Sequence, residues 1–140
     1  CLNLLLSSDF CGDHDTLNIQ ALIDQPIAIK SPLVTDDVMA AMKRRILENT
    51  CFDVTKYNSY YFTPLDYVSP PNSIWYDTVS HGIEKTIEYW LDNINDQCVW
   101  TPNFSWGIDS EVSIQVTKNW TGYIIVKRAK ILLNFNRIEI

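Results

Sequence analysis

Hydrophobic positions along the chain recur at two different periods, and the change of period predicts the architecture. From Thr35 onward Val38, Met42 and Ile46 repeat every fourth residue, Asp36 and Asp37 sit where a helix dipole favours anions, and Lys43, Arg44 and Arg45 fall in the later turns. Thr35 is a good N-cap, so a helix is predicted over about residues 36–48. After Pro70-Pro71-Asn72, Ser73 can cap a longer run in which Trp75, Val79, Ile83, Ile87, Trp90, Leu91 and Ile94 keep a three-to-four spacing. The other side of that run carries Asp77, Glu84, Lys85, Glu88, Asp92 and Asn95, which predicts one buried stripe and one wet one. Gly82 interrupts it at a cost of roughly 1 kcal/mol relative to Ala, explained either by a close approach of another backbone or by plain tolerance.

From Cys98 onward the period becomes two. Val112, Ile114 and Val116 alternate with Ser113, Gln115 and Thr117, the pattern of a strand with one buried face. Gly107 to Ser110 and Lys118 to Gly122 supply turn chemistry, and residues 123–140 read as one long strand or two shorter ones. Residues 1–33 read as an irregular or mixed segment, in which Leu17, Ile19, Leu22 and Ile23 suit a short helix or a strand and Pro26 to Lys30 alternates like an edge strand. The expectation is therefore an α+β fold: an antiparallel C-terminal β-meander packed against one long and one shorter amphipathic helix. It forms one domain over 1–140, with the mixed segment at 1–33, the helical part and its connector at 35–97, and the meander at 98–140.

Composition changes this picture mainly by exclusion. Hydrophobic residues at 46% and charged ones at 20% are ordinary globular usage, so a folded chain is expected. A net charge of −6 repels phosphate backbones and anionic lipid, and nucleic acid is not expected as a partner. Lys127, Arg128 and Lys130 form the one local basic cluster; on a strand they split between two faces, so a solvated strand end is preferred to an anion site. No apolar run is long enough to span a bilayer.

The search for chemistry returns little. Asp9, Cys11, Asp13, His14 and Asp15 lack both the positioned base of a catalytic thiol and the ligand order of a calcium loop, so an acidic surface turn is expected. His81, with Asp77 and Lys85 four residues to either side, reads as a solvated or capped histidine rather than a base. No nucleophile elbow, phosphate loop, zinc helix or dinucleotide fingerprint is present, and no cofactor, metal site or catalytic residue is expected. The sequons at Asn103 and Asn119 are no more than chance supplies.

Four cysteines, Cys1, Cys11, Cys51 and Cys98, are too widely spaced for a redox or zinc motif. Cys51 and Cys98 each lie just beyond a predicted helix, so a disulfide joining those ends is expected in an oxidising compartment. A first residue of Cys is what signal-peptide cleavage leaves on a bacterial lipoprotein, which makes Cys1 a candidate for a lipid anchor.

The most distinctive segment is residues 57–76, where Tyr57, Tyr60, Tyr61, Phe62, Tyr67, Trp75 and Tyr76 accompany three prolines and almost no charge. Tyrosine and tryptophan combine apolar area with a polar handle and lose little entropy when fixed, which suits an interface. Tyr57, Tyr60, Tyr61, Tyr67, Trp75 and Tyr76 are therefore the candidate partner-binding residues. The expected function is non-enzymatic: an exported or envelope-associated accessory protein that binds another protein through an aromatic, acidic surface. The alternatives are a cytosolic acidic immunity protein that blocks a basic toxin, and a cone-shaped α+β ligand binder or small enzyme with a closed pocket.

Overall fold

The computed structural model describes residues 12–25, 30–103 and 111–139. Helix α1, Asp13–Ile23, starts from Gly12, whose φ of 118° lies in the left-handed region that favours glycine. Thr16, Ile19, Gln20 and Ile23 are its buried residues, spaced three and four apart, so the ambiguous apolar positions here resolve as one helical face. Of the expected acidic turn, Asp13 to Asp15 belong to this helix, while Asp9 and Cys11 lie outside the described residues, as does most of the expected edge strand at 26–30.

Helix α2, Asp36–Asn49, is capped as its sequence indicates: the Val38 amide donates to Thr35 Oγ1 at 3.3 Å, and Val38, Ala41, Met42 and Ile46 are buried. The connector after it holds a single 3-10 turn, Val54–Lys56, and helix α3, Pro64–Tyr67. Pro64 stands at the first helical position, where the missing amide costs nothing, and the Asp66 carboxylate accepts the Thr63 amide at 2.7 Å and the Thr63 hydroxyl at 2.9 Å.

Helix α4, Tyr76–Asp92, is the spine of the core. Val79, Gly82, Ile83, Thr86, Ile87 and Trp90 are buried along it, and it packs on α2, α3 and the 3-10 turn. Each large apolar side chain removed from water in this way contributes about 1.5–3 kcal/mol. Trp75, fully buried just ahead of α4, donates its indole N–H to the Asp24 carboxylate at 2.6 Å and so pins the start of α4 to the end of α1. Burial holds the Asp24 carboxyl above the usual carboxylate range, while the bonds from Trp75 and Gln20 pull the other way. The approach expected at Gly82 is made by side chains: a Cβ there would stand 2.7 Å from the Phe52 ring and 2.8 Å from Pro64.

The C-terminal expectation is overturned. The residues read as a meander form one helix, α5, Glu111–Asn134, and no strand occurs among the described residues, so the fold is helical and not α+β with an antiparallel sheet. Two causes are visible. Ile124 and Ile125 are half-buried and Ile131 and Leu132, two turns on and on the same face, fully buried against the core, so the second half of α5 is held by one helical stripe. Helix then propagates cooperatively through residues that alternate, since extending it costs less than starting a new element. Alternation at period two cannot place its apolar members on one helical face, and Val112 and Ile114 are 66% and 72% exposed. Gly122, read as part of a turn, lies inside the helix with nothing within 4 Å of a Cβ position. The helix ends in a Schellman arrangement, with Asn136 at φ 54° and the Arg137 amide bonded to Leu132 O at 2.9 Å.

The expected disulfide is also absent: Cys51 and Cys98 are both free thiols. Cys98 closes an exposed turn in which its amide donates to Asn95 O at 2.8 Å, whereas Cys51 begins the connector with its amide on Phe62 O at 2.8 Å. Cys1 and Cys11 lie outside the described residues.

Candidate functional site

The aromatic connector does not spread over the surface; part of it folds inward and the rest borders a cleft of about 300 Å³. Tyr57 is the buried pivot. Its phenol donates to Cys51 O at 2.9 Å and lies 3.0 Å from Thr86 Oγ1, and burial pushes it up to about 12, so it stays a neutral donor at ordinary pH. Phe62, also buried, meets Tyr67 and His14 ring to ring, at 6.1 and 5.1 Å between centres. Tyr60 and Tyr61 remain 53% and 48% exposed at the mouth, and Tyr60 Oη is held 3.0 Å from His14 Nε2 on α1.

Helix α5 supplies the remaining boundary. Trp120 and Tyr123 meet edge to face with centres 5.4 Å apart, and Ile124, Lys127 and Arg128 follow them toward the core. Lys127 Nζ lies 2.6 Å from Asp66 Oδ1, an ion pair that ties α5 to α3. Arg128 is treated differently: its guanidinium stands 4.7 Å from the Trp90 ring centre and 5.7 Å from that of Trp100. The Trp100 indole N–H donates to Trp90 O at 2.7 Å, which fixes the two rings relative to each other. Burial pulls the guanidinium down to about 10, so it remains a cation at neutral pH in an environment that solvates it poorly.

The residues singled out in the sequence thus go to different places. Tyr57, Tyr60 and Tyr61 line the cleft, Tyr67 and Trp75 are core, and Tyr76 stacks on Phe135 with centres 6.5 Å apart. His81 stacks on Phe52 at 4.2 Å and makes no hydrogen bond with Asp77. Asn103 donates to Tyr57 O at 3.1 Å and to Ser59 O, and Asn119 accepts from Gln115 at 2.8 Å. Sequence reasoning missed Trp120, Tyr123, Lys127 and Arg128 as cleft residues, because the strand reading separated them. A cation at Arg128 between the half-buried Ile124 and the buried Ile131 was the signal that could have found them, once read at helical spacing.

Chemically, the cleft is an aromatic basin carrying one committed ion pair and one guanidinium. The Thr63 hydroxyl there donates to the Asp66 carboxylate, and that bond is the capping contact of α3. Among the described residues no group of three His, Cys, Asp or Glu could hold a metal ion, and no helix is long and apolar enough to cross a membrane. The chain matches no family model, no curated protein and no solved structure.

Proposed function

We propose that this protein is a non-catalytic recognition module that takes a segment of another protein into the aromatic cleft. The observation that carries the reading is the placement of Tyr60 and Tyr61, half exposed, around the same cleft as Trp120 and Tyr123 from a distant part of the chain. Rings held at a concave mouth present apolar area with little left to lose in conformational entropy, which favours association. The cleft's volume, at the lower end for ligand pockets, suits one or two side chains of a partner. An envelope location belongs to the same proposal only through acylation of Cys1, which the intact mass of protein purified from its source would reveal.

Selection of a random peptide library on the immobilised protein tests the reading. Peptides are expected to enrich on the wild type and to fail on the combined Tyr60→Ala, Tyr61→Ala and Trp120→Ala variant, with unchanged circular dichroism. Equal enrichment on both proteins would place recognition elsewhere.

A further inference from the structure

Two hollows adjoin at Arg128. The aromatic cleft lies on one side, and a second hollow of about 310 Å³, lined by Asn58, Asn93 and Thr101, lies on the other; Tyr57, Tyr89, Asn103 and Arg128 border both. Asp66 acts on Arg128 through its charge alone, because its oxygens are bonded elsewhere, Oδ1 to Lys127 and Oδ2 to Thr63. Arg128 is left with the Trp90 and Trp100 faces and no hydrogen bond or ion pair to another described residue. A guanidinium is a fork of five donors suited to a carboxylate, and here it is preorganised on two fixed indoles.

Resting on the reading of the cleft as a recognition site, we propose that an extended partner segment crosses Arg128 and docks an acidic side chain on it, with an aromatic or aliphatic neighbour in the cleft. A chain terminus would fill one hollow and stop, whereas two hollows meeting at the cation suit a segment that runs through. The rest of the segment is neutral or basic, because a chain of net charge −6 repels an acidic one. The match is therefore a single Asp or Glu with an apolar residue on one side and a polar residue on the other.

The test is an array of short synthetic peptides, acetylated and amidated, with Asp, Glu, Asn or Gln at the centre and varied flanks, probed with wild type, Arg128→Met and Arg128→Lys. Met keeps an apolar stem over the indoles, and thermal melts report whether each variant folds. Wild type is expected to prefer the acid over its amide by about tenfold or more, as for a charge-assisted bond. Arg128→Met should lose that preference while keeping the preference for an apolar flank, and Arg128→Lys should keep a reduced one. Ring-dependent binding indifferent to the acid-to-amide change would overturn this inference and leave the cleft reading standing. Absence of any binding that depends on Tyr60, Tyr61 and Trp120 would sink both. A parallel arm of peptides with free C-termini and no internal acid would, if it bound best, assign Arg128 to a chain terminus and reject the crossing segment.

Discussion

Helices α4 and α5 are the two longest among the described residues, and they are held in opposite ways. Along α4 Val79, Ile83, Ile87 and Trp90 are buried on one stripe and no apolar residue is exposed; along the first half of α5 the apolar residues are scattered around the helix, and Val112, Ile114 and Trp120 are exposed. The difference shows that apolar content does not decide burial, because a rigid rod can offer only one side to a core. It also shows that a helix can be secured by one half and carried through a stretch whose own pattern argues for something else.

Mutations should separate the two helices most sharply where the contrast is greatest. Ile87→Ala in α4 is expected to lower unfolding free energy by about 2–5 kcal/mol in urea denaturation, while Ile114→Ala in α5 stays within about 0.5 kcal/mol. A comparable loss at Ile114 would mean that the first half of α5 is covered in solution. The same substitution made in both helices should even change sign. Gly82→Ala drives a methyl into Phe52 and Pro64 and should cost about 1–3 kcal/mol, whereas Gly122→Ala meets open space and should gain up to about 1 kcal/mol.

The anchor of α4 at Trp75 gives the next contrast. Asp24→Ala leaves the indole N–H without its acceptor and is expected to cost about 1–3 kcal/mol. Asp24→Asn keeps an acceptor and removes a charge that burial disfavours, so its thermal midpoint should stay near that of the wild type. A further contrast is expected at high pH. The Tyr57 phenol keeps its proton to about pH 12 when folded, but an unfolded tyrosine loses it near pH 10, so the unfolded state binds fewer protons in that window. Stability should fall as pH rises from about 10 to 12, and Tyr57→Phe should flatten that decline in urea midpoints relative to the wild type.

How much of this was legible in the sequence depends on how far each signal extends. Helix α2 carries a working cap at Thr35, acids in its first turn and consistent apolar spacing, and α4 carries several turns of unbroken spacing after a turn-forming Pro-Pro-Asn, signals long enough to leave little alternative. For α1 the apolar positions were too few to separate a helix from a strand. In α5 six alternating residues, 112–117, outweighed the helical spacing that begins only at Ile124, and among the described residues there is no strand for such a segment to pair with. The same misreading hid half of the cleft. Tyr60 and Tyr61 stood out by composition, but Lys127 and Arg128 were read as splitting between the faces of a strand. On a helix they sit about one turn beyond Tyr123 and two beyond Trp120, and share one cavity with them.

The ion pair between Lys127 and Asp66 and the buried Ile131 and Leu132 fasten α5 at its C-terminal end. Trp120 stands about 6 Å along the helix from Ile124, which is half-buried against the core, at 1.5 Å per residue. A tilt of about 10° about Ile124 moves that indole by about 1 Å. Small changes in the inclination of α5 therefore reset the width offered to a guest between Trp120 and Tyr60.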